Sequence, residues 1–210
     1  MDNFSQLLGL ALAWVAYGLL HSALAALAAK DRFARRWPDA VRYYRLGFNL
    51  VAVVTLLPVL WLGHAIDGDW LWRWSGAAAW LANGLALAAV AGFFASTRYY
   101  DMDAFLGLRQ VREAATHADG REVFRLSPFH RYVRHPWYFF ALVLVWTRDM
   151  TAPALVSAAM ITLYFVLGSR LEERKLLAAH GDVYRRYMAR VPGLLPLPWK
   201  TLSRAESDDI

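Results

Sequence analysis

Four ionisable residues in the C-terminal half of the chain have the types and the spacing needed for a chemical site. Arg134 and His135 precede one apolar segment, whereas Glu172 and Glu173 follow the next apolar segment. A guanidinium, an imidazole and two carboxylates can together hold a charged ligand or transfer a proton. They can do so only if the chain between the two pairs folds back on itself.

The chain between the two pairs consists of two apolar segments, residues 136–147 and 154–168, separated by a break that contains Arg148 and Asp149. We predict a helical hairpin over these segments. Because its arms are antiparallel and of comparable length, the residues just outside the arms must lie near each other. Adjacent glutamates point in different directions on a helix, so at most one of the two faces a given atom directly.

Two tyrosines follow the hairpin on a charged, helix-favouring segment that runs from Leu171 to Val191. Tyr184 and Tyr187 are three residues apart, so they share one face of a helix and can close over the mouth of the hairpin. Gly181 before them is typical of a helix end. Ordinary juxtamembrane charges, with tyrosines packed at the membrane interface, are an equally good interpretation of this spacing.

The composition of the chain places these elements in a membrane. Hydrophobic residues make up 58% of the 210 residues, the mean hydropathy is +0.27, and the apolar residues form long runs separated by charged segments. The net charge of +6 comes from Lys and Arg that flank the apolar runs, where they set membrane orientation rather than bind nucleic acid. The sequence therefore predicts an all-α integral membrane protein with no nucleic-acid partner.

We predict about five membrane helices, each close to the ~20 residues that cross about 30 Å of hydrocarbon. Three lie at about 4–29, 44–63 and 76–96, and the hairpin supplies two more, although its first arm is short enough to be tilted or only partly spanning. This order places the first basic loop, the arginine-rich segment 97–135 and the C-terminal segment on one face. By the positive-inside rule that face is cytoplasmic and the N-terminus is outside.

Several classes of site are disfavoured by the residue types present. The chain has no cysteine, which rules out disulfides, thiolate metal ligands and a thiol nucleophile. Its histidines lack a recognisable metal spacing, so we predict no metal site. We expect a single domain over residues 1–199 and a disordered tail over residues 200–210.

Three polar residues stand inside the apolar segments, where such groups are costly. His21 lies toward the cytoplasmic half of the first helix and either lines a substrate pocket or satisfies a helix contact. Asn49 and Asn83 fit most simply as hydrogen-bonding partners of a neighbouring helix. We keep His21 and Asn49 as candidate substrate-pocket residues.

The motifs of the C-terminal half resemble those of one group of membrane enzymes. They are Arg134-His135-Pro136-Trp137-Tyr138, Glu172-Glu173, and His180-Gly181-Asp182-Val183-Tyr184-Arg185-Arg186-Tyr187 followed by Val191-Pro192. This pattern resembles the isoprenylcysteine carboxyl methyltransferase-like superfamily, and within it the bacterial methanethiol S-methyltransferases. The stretch Leu106-Gly107-Leu108-Arg109-Gln110 also looks like that branch.

The resemblance implies an S-adenosylmethionine site at the hairpin mouth, closed by cytoplasmic C-terminal helices, in a protein of the bacterial inner membrane. The cofactor-binding residues implied are Arg134, His135, Pro136, Tyr138, Glu172, Glu173, Tyr184 and Tyr187. In a thiol methyltransferase His135 or a glutamate such as Glu173 would act as the base. Arg170 or Arg174 would orient the acceptor or the cofactor.

The acceptor implied by the resemblance is a small hydrophobic thiol such as methanethiol. The alternatives are a lipid-like acceptor, meaning an isoprenylcysteine carboxylate or a phospholipid amine, and, from another class, a non-catalytic membrane subunit or permease. Related folds include reductases that use a nicotinamide cofactor. Membrane lipids are expected around the protein, and no obligate protein partner is predicted.

Overall fold

The structure, a computed structural model, describes residues 3–113, 126–204 and 206. The α-helices are α1 (Asn3–Ala25), α2 (Leu27–Arg36), α3 (Tyr44–Ala65), α4 (Gly76–Thr97), α5 (Met102–Leu106), α6 (Leu108–Arg112), α7 (Pro136–Trp146) and α8 (Ala152–Arg190). Two 3₁₀ helices, Pro38–Tyr43 and Pro128–Arg131, and two strands, β1 (Trp70–Trp72) and β2 (Met150–Thr151), complete the described elements. The predicted all-α class is confirmed. Residues 114–125 of the arginine-rich segment lie outside the described residues.

Four helices of the described chain, rather than five, are long and apolar enough to cross a membrane: α1, α3 with the 3₁₀ helix before it, α4 and α8. The first arm of the predicted hairpin is α7, whose 11 residues extend only about 16 Å. As a helix it is shorter than the about 30 Å of hydrocarbon, so α7 is the short arm that was expected to be tilted or only partly spanning. The spans expose large apolar side chains, among them Leu12, Leu50 and Trp80, as expected where lipid is the solvent.

The last helix contains the break that its sequence predicts. Gly181 has φ +55° and ψ −126°, a non-helical conformation with positive φ that glycine adopts without steric cost. The residues before it carry Glu172 and Glu173, and the residues after it carry the two tyrosines. The break thus separates the second hairpin arm from the final helical segment of α8.

The described chain divides into two compact units, and each is built from three stretches. The first unit comprises described parts of 1–69, 100–123 and 151–160, and the second comprises described parts of 70–99, 124–150 and 161–210. The single domain expected over residues 1–199 stays a prediction.

In the first unit, α1 packs against α3, and short helices α5 and α6 pack near the start of α3. Trp14 of α1 donates its indole N–H to the hydroxyl of Ser157 at 3.1 Å. Gly107, between α5 and α6, has φ +91°, and a Cβ there would lie 2.6 Å from the backbone nitrogen of Leu46. Only glycine permits this close approach of two backbones.

In the second unit, α4 packs against α7 through small residues. Ala82, Ala86 and Ala89 are the buried alanines of α4. A Cβ at Gly92 would lie 2.7 Å from the ring of Phe140, so the glycine makes room for that ring. One turn further on, the indole N–H of Trp137 donates to the hydroxyl of Ser96 at 2.7 Å. This packing fixes the start of α7, where Arg134 and His135 stand.

The described residues after α8 also pack into the second unit. Leu202 is buried, and its backbone N–H donates to the carbonyl of Arg131 at 3.0 Å. It packs in a cluster with Tyr184, Tyr187 and Val191. Residues 205 and 207–210 of the predicted tail lie outside the described residues.

Candidate functional site

The hairpin brings Arg134 and His135 to Glu173, as the antiparallel arms predict. The Nε and Nη2 atoms of Arg134 lie 2.8 Å and 2.7 Å from Oε1 of Glu173. The Nε2 atom of His135 lies 3.1 Å from the same oxygen. One carboxylate oxygen therefore contacts both side chains, from residues nearly forty positions away in the sequence.

The ion pair between Arg134 and Glu173 is shielded from solvent. Their side chains are 12% and 11% exposed. Such a pair is tolerated only when the remaining polar atoms also find partners. The Nη1 atom of Arg134 meets this requirement by donating to the carbonyls of Met188, at 3.1 Å, and Val191.

The segment that follows α8 fixes the backbone of the same two residues. The N–H of Arg134 donates to the carbonyl of Pro192 at 2.8 Å, and the N–H of His135 donates to that of Gly193 at 3.1 Å. A Cβ at Gly193 would lie 3.3 Å from Nη2 of Arg134, so a larger residue would crowd the guanidinium. Gly193 was missed in the sequence; its position directly after the Val191-Pro192 motif was the available signal.

Glu172 points to a different side of the helix from Glu173 and is half exposed. Its Oε2 atom lies 3.5 Å from Nδ1 of His135 and accepts a hydrogen bond of the same length from the Tyr138 hydroxyl. The two glutamates therefore differ in environment: Glu173 is enclosed by Arg134 and His135, whereas Glu172 has a carboxylate that a ligand can reach.

Three rings form a parallel stack beside Glu172. The His135 and Tyr138 rings have centroids 5.3 Å apart and planes at 11°, and the Tyr138 and Phe165 rings lie 4.5 Å apart at 2°. Phe165 was not singled out in the sequence. It lies one helical turn before Gly168, and its ring meets that of Tyr138 only when the two arms of the hairpin pack together.

Two histidines near the site have opposite protonation tendencies. Burial works to lower the pKa of His135, but the hydrogen bonds and negative charges of Glu172 and Glu173 outweigh it and raise that pKa above 6.5. Burial, together with the charge of His135, lowers the pKa of His130 to about 4. The Nδ1 atom of His130 accepts the N–H of Ser127 at 3.0 Å, which requires the neutral ring.

Tyr184 and Tyr187 lie on one face of the final segment of α8, as predicted from their spacing. Both are 1% exposed, and their ring centroids are 5.7 Å apart. The hydroxyl of Tyr187 donates to the carbonyl of His130 at 2.8 Å. They form part of the packed core behind the ion pair.

The other predicted site residues lie around this cluster or in the first unit. Pro136 is buried as the first residue of α7, and Arg170 is exposed on α8 one turn before Glu173.

In the first unit, the ring of His21 lies 5.8 Å from that of Tyr17 and 4.9 Å from that of Phe48. The side-chain amide of Asn49 donates to the carbonyls of Phe105 and Leu106 at 3.0 Å and 3.1 Å. Neither residue belongs to the unit that contains the ion pair.

Known proteins of similar sequence identify the family. No family model matches the chain, and no solved structure matches it. The chain is 34% identical over 196 residues to methanethiol S-methyltransferase 2 of Bradyrhizobium diazoefficiens, covering 92% of this chain and 73% of the relative. It is 30% identical over 188 residues to a methanethiol S-methyltransferase of Crocosphaera subtropica, covering 86% and 71%. It is 33% identical over 193 residues to one of Mycobacterium tuberculosis, covering 87% and 75%.

These matches extend well beyond the C-terminal motifs. Each covers more than four-fifths of the chain, so most of the N-terminal half is included. The predicted resemblance to this branch of membrane methyltransferases is confirmed. The chain is therefore a membrane methyltransferase that belongs to the methanethiol S-methyltransferase family.

Proposed function

We propose that the chain transfers a methyl group from S-adenosylmethionine to methanethiol or another small hydrophobic thiol. The names of its relatives support the substrate class. The observation that carries the proposal is the buried pair of Arg134 and Glu173 with the half-exposed Glu172 beside it. The ion pair holds the neighbouring carboxylate of Glu172 in a fixed and accessible position. A cationic ligand with an amine and hydroxyl groups needs such a carboxylate.

The residues of the site fit S-adenosylmethionine, which supplies a methyl group on a sulfonium cation. The aromatic rings of Tyr138 and Phe165 and the carboxylate of Glu172 suit a cation. Glu172 is also the acceptor available to an amine or a ribose hydroxyl. Arg134 is committed to Glu173 and two carbonyls, so exposed Arg170 is the arginine we assign to the carboxylate of the cofactor.

The proposed reaction is a displacement at carbon. The thiol sulfur forms a bond to the methyl carbon while the bond from that carbon to the sulfonium sulfur breaks. The products are dimethyl sulfide, when methanethiol is the acceptor, and S-adenosylhomocysteine. The contribution of the protein is to hold both sulfur atoms in line, an effect that reaches roughly 7–11 kcal/mol in well-oriented systems.

The thiol must lose its proton in this reaction. We assign the role of proton acceptor to the pair formed by His135 and Glu172, whose Nδ1 and Oε2 atoms are 3.5 Å apart. His135 is fixed by Glu173 on its other nitrogen, so it is oriented for this exchange. A base positioned in this way typically accelerates proton transfer about 10²–10⁴-fold.

The cofactor is tested by calorimetric titration of S-adenosylhomocysteine into the purified protein in detergent, with NADPH as the comparison ligand. We expect saturable binding of the first ligand alone. Glu172→Gln should weaken binding strongly, whereas His64→Ala, at an exposed histidine of α3, should leave it unchanged. Binding of NADPH alone would indicate a reductase and would overturn the proposal.

The acceptor is tested by headspace detection of dimethyl sulfide after methanethiol and S-adenosylmethionine are added. We expect its formation by the wild-type protein and its loss in Glu172→Gln. A lipid-like acceptor, the alternative that the resemblance leaves open, is the other outcome of this test. Methylation of phosphatidylethanolamine, without dimethyl sulfide, would favour that acceptor instead.

The site is proposed to face the cytoplasm of a bacterial cell. Arginines cluster in α2 and in the segment between α4 and α7, and Lys and Arg flank the hairpin mouth. The positive-inside rule assigns such segments to the cytoplasmic side of the inner membrane, with the N-terminus outside. Labelling of single-cysteine variants at Ser5 and at Arg204 with an impermeant reagent tests this orientation.

A further inference from the structure

One polar residue of the membrane spans has no role in the site or in the packing of either unit. Asn83 of α4 is exposed, and among the described residues none forms a hydrogen bond with its side chain. The face of α4 that packs on α7 carries Ala82, Ala86 and Ala89. The expectation that Asn83 bonds a neighbouring helix is thus not met within the described chain.

The position of Asn83 makes this exposure costly. It is the eighth residue of α4, so it lies about 10 Å from the start of a 22-residue span. Arg148 reaches the carbonyl of Ala82, but that contact is on the side of α4 that faces α7. An amide that faces hydrocarbon has neither water nor a lipid tail with which to form hydrogen bonds.

Asn83 is the centre of a regular seam on the exposed side of α4. Its neighbours on that seam, at steps of three and four residues, are Trp80, Leu87, Val90 and Phe94. They are 83%, 71%, 37% and 64% exposed. This is the heptad spacing of a helix that packs against another helix with a left-handed crossing, and a single asparagine in such a seam fixes the register of the pair.

We propose that α4 pairs along this seam with α4 of a second copy of the chain, and that the two Asn83 side chains hydrogen-bond to each other. An amide carries both a donor and an acceptor, so it is complementary to itself. Two copies insert into the membrane in the same orientation, which makes the helices parallel and puts both asparagines at the same depth. A lipid chain cannot supply either hydrogen bond.

Cysteine cross-linking tests the seam, because the natural chain has no cysteine and needs no prior substitution. We expect Leu87→Cys, in membranes treated with a mild oxidant, to form disulfide-linked dimers. Leu81→Cys and Leu85→Cys are matched controls: both residues are exposed on the same helix but point well away from the seam. We expect these controls to remain monomeric. Equal cross-linking at all three positions, or none at Leu87, would overturn the proposal.

Substitution of Asn83 tests the hydrogen bonds. Two symmetric bonds of the strength measured between membrane helices correspond to about an 8- to 300-fold change in the dissociation constant. We expect Asn83→Leu to weaken the dimer by this factor, measured by energy transfer between labelled chains diluted in lipid vesicles, and Asn83→Gln to retain most of it. An unchanged dissociation constant for Asn83→Leu would refute the assigned contact.

Discussion

The ion pair between Arg134 and Glu173 allows a quantitative test of how the site is held together. The substitution Glu173→Gln keeps the size of the side chain and removes its charge. It leaves the guanidinium of Arg134 in a position where its side chain is 12% exposed. The matched substitution is Glu172→Gln, which removes the same charge from the adjacent residue, where the side chain is 50% exposed.

The magnitude follows from burial and from the remaining partners of Arg134. Removing one member of a buried ion pair costs about 3–5 kcal/mol, because the other charge stays buried without compensation. Arg134 keeps its hydrogen bonds to the carbonyls of Met188 and Val191, so we expect a value near the lower end, about 3 kcal/mol. For a protein of 210 residues each kcal/mol lowers the melting temperature by about 2–4 °C, so Glu173→Gln should lower it by about 6–12 °C.

The assay is thermal unfolding in detergent, followed by a spectroscopic probe, for a double-mutant cycle. Arg134→Met, Glu173→Gln and the double variant are compared with the wild type and with Glu172→Gln. We expect the double variant to be more stable than the sum of the single losses by about 1–3 kcal/mol, because it buries no unpaired charge. Additive losses, or an equal fall in melting temperature for Glu172→Gln and Glu173→Gln, would refute the reasoning.

Two further outcomes are expected. Because the pKa of His135 is raised above 6.5 in the folded state, the stability that its charge contributes is fully present below pH 6.5 and is lost as the pH rises through the folded pKa. The melting temperature of the wild type should therefore fall across this pH window more than that of His135→Gln. Parallel curves of melting temperature against pH for the two proteins would contradict the assignment. Gly107→Ala should destabilise the protein by more than the roughly 1–2 kcal/mol of a left-handed conformation, since its Cβ would also meet the backbone of Leu46. Gly76→Ala, at φ +53° with nothing within 4 Å, is the control for chemical or thermal unfolding, and equal losses would show that the contact at Leu46 is unimportant.

The helical architecture could be predicted from the sequence because hydrophobic length and polar breaks are local signals. The start and end of α4 lie within one residue of the predicted 76–96, and Gly181 breaks α8 as its residue type indicates. The first arm of the hairpin, predicted over residues 136–147, is observed as α7 over Pro136–Trp146. Its apolar run ends at Trp146, and the residues after it form polar contacts instead of further helix: Trp74 donates to Asp149 at 2.9 Å.

The site could be predicted in outline and not in detail. Antiparallel arms of similar length place Arg134 and His135 opposite Glu173, and this needs no knowledge of side-chain packing. The rotation of α8 about its axis decides whether Glu172 or Glu173 is enclosed. Two adjacent residues of the same type give no sign of that rotation. The role of Phe165 depends on a contact between segments far apart in the chain, so no local pattern indicates it. The Val191-Pro192 motif draws attention to Gly193, but it does not reveal the contact of that residue with Arg134.

The backbone hydrogen bonds from Arg134 and His135 to Pro192 and Gly193 have a consequence for the order of events during synthesis. A ribosome makes the four described helices of spanning length almost completely before it adds the residues that orient this pair. Insertion into the bilayer can therefore begin, and α4 can pack on α7, while the proposed cofactor site is still incomplete. A chain that stopped after Arg190 would retain its spans but would lack these two carbonyl acceptors, so a nascent or prematurely ended chain should reside in the membrane without activity.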